Sequence, residues 1–139
     1  MSGASIPQKL KVRIGGILGS WYSVRIKGSD LLYRIHKDED EDDFKELKIN
    51  PGEQQWRDFR KALDDIGIWQ WKEEYPNPGE ADSTQWFVEL EWDGRTIKSS
   101  GDSNFPIADG NPENEAEMSP TFDRFLDAVR KLIGDLEFR

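Results

Sequence analysis

The chain has 139 residues, a formal net charge of −9 and no cysteine. The length fits one domain, and the absence of thiols excludes disulfides, thiolate catalysis and cysteine-based zinc sites. Hydrophobic residues (35%) are barely more frequent than charged ones (34%), yet six Trp, seven Phe and three Tyr supply enough apolar surface for a folded core.

Residues 1–8 precede the first regular pattern, so we expect a loose leader there, within a single domain that spans 1–139. This leader has no charged stretch followed by an apolar run, and a signal peptide is therefore not predicted. No apolar run approaches the roughly 18 residues of a membrane span. We expect a soluble, cytoplasmic protein that does not act on membranes.

Four strands are predicted in the first half of the chain. Along the first strand, basic and apolar residues alternate: Lys9, Leu10, Lys11, Val12, Arg13 and Ile14. The Gly-rich segment 15–20 leads into another strand and not into a helix, which favours a bend over a phosphate-binding loop. Strands at about 21–27 and 31–37 form a hairpin, and a short strand covers 44–49.

The clearest element is a helix that begins after Asn50. Asn50 suits the N-cap, Pro51 suits the first helical position, and Gly67 suits the residue after the helix. Apolar residues recur at spacings of three and four between them: Trp56, Phe59, Leu63 and Ile66.

The second half repeats strands and a helix. A strand is predicted at 68–75, with Trp69 and Trp71 on one face, and another at 85–92. The turn Asp93-Gly94 leads to a return strand at 95–100, and a last helix begins after Ser119. We expect the core to contain residues of both helices and of the strand 85–92: Trp56, Phe59, Leu63, Trp86, Val88, Leu90, Phe125 and Val129.

The order strands, helix, strands, helix predicts an α+β fold with an antiparallel sheet of five or six strands and both helices on one face. The apolar positions of the two helices match at a constant offset of 66 residues, from Trp56 and Phe122 onwards. A duplicated hairpin–helix unit is one explanation, and the stripe common to all amphipathic helices is the other.

The second half combines a Trp-rich strand at 86–92, a hairpin turn, the segment Ser100-Gly101-Asp102-Ser103-Asn104-Phe105-Pro106 and a Phe-rich helix. In these features, residues 85–133 resemble a group of small bacterial proteins. Residues 107–119 form an insertion relative to these proteins. The resemblance implies no activity, cofactor or site residue.

The most unusual local feature is a run of six consecutive acids: Asp38, Glu39, Asp40, Glu41, Asp42 and Asp43. Such a run is typical of a solvated loop, and it also suits docking of a basic partner. It lacks the spacing of a calcium-binding loop, so we predict no metal site and no cofactor. We expect repulsion from nucleic-acid phosphates, because the net charge is negative.

Three smaller features complete the candidates. His36 is the only histidine and is predicted to lie on a strand surface, where no nucleophile can be placed beside it. Glu89 and Glu91 share one face of a strand, which is explained by alternation and also admits paired-carboxylate chemistry. Phe87 lies on the same polar face, and we include it as a candidate partner contact.

These observations predict a non-catalytic, protein-binding module that uses an acidic surface, with a basic protein as the partner. No catalytic residue is assigned. The alternative is an enzyme that uses carboxylates, with or without a metal ion, which requires separated acids to converge in space.

Overall fold

The computed structural model describes residues 6–16, 20–36, 44–75, 84–102 and 120–138. The acidic run 38–43 and the insertion 107–119 therefore lie outside the described residues. The elements in chain order are β1 (Lys9–Gly16), β2 (Trp21–Lys27), β3 (Asp30–His36), β4 (Phe44–Ile49), α1 (Glu53–Asp65), a 3₁₀ helix (Ile68–Gln70), β5 (Glu74–Tyr75), β6 (Thr84–Trp92), β7 (Arg95–Asp102) and α2 (Pro120–Leu132).

The α+β class is confirmed, but the expected sheet of five or six antiparallel strands is wrong. The described strands form one seven-stranded mixed sheet in the order β4-β3-β2-β1-β6-β7-β5. The first four strands form an antiparallel meander, and β6 and β7 form a hairpin. The parallel pair arises because the two-residue β5 runs alongside the far side of β7. The duplication of a hairpin–helix unit stays a prediction.

Both helices pack on the same face of this sheet, as predicted. The ring of Trp56 on α1 lies 6.0 Å from Trp92, and the ring of Phe122 on α2 lies 4.8 Å from Trp86. Trp86 and Trp92 are six residues apart on β6 and so point to one side of the sheet. All eight predicted core residues are buried in a single hydrophobic cluster.

The start of α1 differs from the prediction. Gly52, and not Asn50, is the N-cap, and its backbone N–H donates to Oε1 of Gln55 at 2.9 Å. The Asn50 amide donates to Oδ1 of Asp30 at 2.8 Å, so this side chain joins the helix entry to the β2–β3 turn. The helix ends as predicted, because Gly67 follows it with a left-handed φ of 68°.

The strand predicted at 68–75 is wrong over most of its length. Residues 68–70 form a 3₁₀ turn, and only Glu74 and Tyr75 pair with the sheet. The alternation of Trp69 and Trp71 is typical of a strand, but Trp71 is held by aromatic packing and does not pair with a neighbouring strand. Its ring lies 5.3 Å from Phe125 and 5.9 Å from Trp86.

The segment after α2 completes the helix-side core, a role that the sequence did not indicate. Gly134 and Asp135 adopt positive φ angles, which turn the chain back over β2 and β3. Phe138 is fully buried near Tyr22. The hydroxyl of Tyr33 donates to the backbone oxygen of Glu137 at 2.5 Å, and that of Tyr22 donates to its carboxylate at 2.7 Å.

Neither described helix has the length and apolar content needed to cross a bilayer.

We predict that Leu63→Ala lowers the free energy of unfolding by about 2–5 kcal/mol, because a fully buried leucine leaves a cavity. Urea denaturation measures the effect. The control is Lys61→Ala on the exposed side of α1, which should change stability by less than about 0.5 kcal/mol. Equal effects of the two changes would contradict the burial of Leu63.

A second prediction concerns alkaline pH. Burial, followed by the nearby Tyr22 and Glu137, raises the pKa of Tyr33 to about 12. The unfolded chain titrates near 10, so the folded state binds more protons between these values and stability falls as pH rises through this window. Tyr33→Phe should flatten the decline in melting temperature above pH 10, whereas an unchanged slope would contradict the assignment.

Candidate functional site

The face of the sheet opposite α1 and α2 is not covered by any described helix, and we call it the helix-free face. Strand alternation sends every second side chain to it. On the three strands β1, β2 and β3, this alternation brings six cations together, which we call the basic strip: Lys9, Lys11, Arg13, Arg25, Lys27 and Arg34.

Like charges face each other in the middle of the basic strip. Lys11 on β1 is the direct cross-strand partner of Arg25 on β2, and both side chains are exposed. Directly opposed like charges destabilise a sheet. Within the described residues, Lys11, Arg25 and Lys27 form no ion pair. Glu89 on β6 is the other cross-strand partner of Lys11 and reduces its charge, so the guanidinium of Arg25 is the more available of the two to an anion from outside.

Acids border the basic strip on both sides. Glu89 on β6 lies 4.0 Å from Lys9, and Glu46 on β4 lies 2.6 Å from Arg34. Glu91 is the cross-strand partner of Lys9. The predicted pair Glu89 and Glu91 does share one face, but it lies against lysines on an open sheet surface and does not line a cleft with other carboxylates.

Aromatic rings are interleaved with the cations. The ammonium of Lys11 lies 5.9 Å from the ring of Phe87, and the guanidinium of Arg34 lies 4.3 Å from the ring of Phe44. Phe87 is partly exposed beside Arg13, its cross-strand partner. Phe87 is therefore the one predicted contact residue that the described part of the chain places on the candidate site.

Trp21 lies at one end of the helix-free face. Its indole lies across Gly15, where a Cβ atom would come within 2.1 Å of the ring. The guanidinium of Arg13 lies 4.7 Å from the same ring. Trp21 is only 5% exposed. Because Gly15 has no side chain, the indole can pack against the backbone of β1 while the guanidinium of Arg13 contacts the ring. A glycine at position 15 is thus required by close packing, in addition to any role in the bend.

His36 was predicted to be a surface residue and is instead buried, with 3% exposure. Its cross-strand neighbours, Trp21 and Phe44, enclose it, and its ring lies 5.5 Å from that of Phe44. Its Nε2 lies 3.2 Å from Oγ of Ser23. A serine–histidine pair is the arrangement of activated nucleophiles, but burial beneath the neighbouring rings leaves no room for a substrate there.

The helix side has a groove of about 510 Å³ between α1 and α2. Its floor includes Phe59 and Leu132, and charges of both signs line it, among them Asp58, Asp65 and Lys131. Within the described ranges, no group of three or more His, Asp or Glu side chains is placed to hold a metal ion.

The six predicted contact residues of the acidic run, 38–43, lie outside the described residues, and their assignment stays a prediction. The basic strip was missed, although its signal was present in the alternation of Lys9, Lys11 and Arg13 and in that of Arg25 and Lys27. Strand alternation in both segments places these cations on one face of the sheet.

No protein-family model matches the chain, and no curated protein matches it significantly. The site must therefore be interpreted from its own chemistry.

We predict that Gly15→Ala destabilises the fold by about 1–3 kcal/mol, because the new methyl group collides with a buried ring. Chemical denaturation, with the emission of the tryptophans recorded in the native state, measures both stability and packing. Gly52→Ala is the control for a methyl group without a clash, since a Cβ there meets only an ordinary contact at 3.7 Å, and its smaller cost reports only the loss of a favoured N-cap residue. A Gly15→Ala variant as stable as the control would refute the packing of Trp21 on Gly15.

Proposed function

We propose that the protein is a non-catalytic binding module whose helix-free face binds single-stranded nucleic acid. The observation that carries this proposal is the pair Lys11 and Arg25, two exposed and directly opposed cations that form no ion pair among the described residues, although Glu89 stands opposite Lys11 on the other side. A bound phosphate removes the repulsion between them. Binding therefore relieves an unfavourable contact that the free protein retains.

The spacing of the cations suits a phosphate backbone that crosses the strands. Adjacent strands are about 4.8 Å apart, and alternate residues of one strand are about 7 Å apart. Lys11, Arg25 and Lys27 thus offer several positions for successive phosphates of a flexible single strand. Phosphate contacts of this kind supply most of the sequence-independent affinity.

The aromatic residue explains the preference for a single strand over a duplex. Phe87 is partly exposed next to Lys11 and Arg13, where an unpaired base can stack on the ring while its phosphate meets a cation. Bases in a duplex are stacked on each other and cannot use such a ring. A basic sheet surface with an accessible aromatic ring is an established way of holding single strands.

The net charge of −9 argued against nucleic acid, but the charge is unevenly distributed along the chain. Of the 28 acidic residues, 12 fall outside the described residues, whereas 17 of the 19 Lys and Arg residues fall inside them. The described part is therefore close to neutral, and six of its 17 Lys and Arg residues lie together in the basic strip. Local potential, more than net charge, governs which ligand approaches a given surface.

Docking of a basic protein on Asp38–Asp43 remains a separate proposal, supported by the sequence alone. The carboxylate-enzyme alternative has less support, because Glu89 and Glu91 lie beside Lys9 and Lys11 on an open surface.

The test is fluorescence anisotropy with a labelled oligothymidylate of about 15 nucleotides, a length within the range that one such surface covers. Affinity should fall with salt between about 50 and 200 mM. Replacing Lys11 and Arg25 together by Gln should reduce the log–log salt slope by about 1.4, since each lost phosphate contact contributes about 0.7. Phe87→Ala should weaken binding by about 1–3 kcal/mol.

Two controls make the result specific. Replacing Lys61 and Lys131 by Gln removes the same charge from the helix side and should leave the affinity and the salt slope unchanged. Replacing Asp40, Asp42 and Asp43 by Asn should not weaken oligonucleotide binding. Absence of binding at the lowest salt would refute the proposal. An equal loss of affinity in the Lys11/Arg25 and the Lys61/Lys131 double variants would also refute it.

A further inference from the structure

The strand β4 forms one edge of the sheet and has no strand on its outer side among the described residues. It is exposed along almost its whole length. It carries the two exposed large hydrophobic side chains of the described part of the chain, Leu47 at 53% and Phe44 at 38% exposure. An exposed edge strand with apolar side chains is a template for pairing with another strand.

We propose that β4 pairs antiparallel with β4 of a second copy of the chain, which joins two sheets into one. The occupant is inferred from the order of charges along the strand. A twofold axis at Leu47, perpendicular to the sheet, keeps both helix layers on the same side and places Leu47 opposite Leu47 of the second copy. In the same register, Glu46 faces Lys48 of the second copy, and the symmetric pair forms on the other side of the axis.

Neighbouring registers are unfavourable. A shift of two residues in one direction places Glu46 opposite Glu46 of the second copy, and a shift in the other direction places Lys48 opposite Lys48. Like charges directly across a ladder destabilise it, so the charges select a single register.

Ion pairs within each chain hold the side chains of Glu46 and Lys48 on the helix-free side of β4. Arg34 holds Glu46 at 2.6 Å, and Asp30 holds Lys48 at 3.3 Å. Pairing of two copies extends these contacts into a row of alternating charges: Arg34 and Glu46 of one chain, followed by Lys48 and Asp30 of the other. Networks of this kind contribute more than isolated surface pairs. On the helix side, the two Leu47 side chains cover each other.

The contact is short, since it involves only six residues from each chain, so the dimer should be weak and should depend on protein concentration. Sedimentation equilibrium of the full chain over a wide concentration range should show a monomer–dimer equilibrium. Glu46→Lys and Lys48→Glu should each weaken it by about tenfold or more, because each creates two repulsive pairs across the axis. Lys61→Glu, an equal charge change on the exposed side of α1, should leave it unchanged.

The decisive measurement is a mixture of the two single variants. The Glu46→Lys chain has lysine at both 46 and 48, and the Lys48→Glu chain has glutamate at both positions. Two copies of either variant therefore repel each other, whereas in a mixed dimer both contacts between positions 46 and 48 join a lysine to a glutamate. Energy transfer between differently labelled variants should show a heterodimer with affinity close to that of the wild type. Circular dichroism should show that both variants are folded. A wild-type chain that stays monomeric, or a mixture that does not associate, would overturn the proposal.

Discussion

The pairing of β1 with β6 is the interaction on which the rest of the structure depends. It extends over eight residue pairs, from Lys9 with Glu91 to Gly16 with Thr84, and it joins the two halves of the chain into one sheet. Its register aligns Leu10, Val12 and Ile14 with the apolar side of β6, which both helices then cover. A slip of one residue would exchange the two faces and place the lysines in the core.

The same register creates the candidate site. Since side chains alternate, an arrangement that buries Val12 against Val88 must also place Lys11 and Arg13 on the opposite face, next to Phe87. Core formation and the concentration of charge on the helix-free face are therefore two results of one pattern. Among the described residues, Glu89 and Glu46 border the cations of this face at its two sides.

The sequence predicted what depends on neighbours along the chain. The strands of the first half, the hairpin at Asp93-Gly94, both amphipathic helices and all eight core residues were found from periodicity and turn chemistry. Contacts between distant segments were not predicted. The pairing of β5 with β7, the burial of His36 beneath rings of two other strands, and the packing of Phe138 on Tyr22 each depend on three-dimensional neighbours that no local pattern records.

The return of the last residues over β2 and β3 has a consequence for the order of folding. The hydrogen bond between Tyr33 and Glu137 closes a loop of 104 residues, among the most distant contacts that this chain can make. During synthesis the meander and α1 emerge first, and their tyrosine-bearing surface stays open to solvent until residues 136–138 leave the ribosome. Contacts of such sequence separation slow folding, since the entropy of a long loop is lost before the contact forms. The surface that Tyr22 and Tyr33 present on the first half of the fold is thus completed only after residues 136–138 have been synthesised.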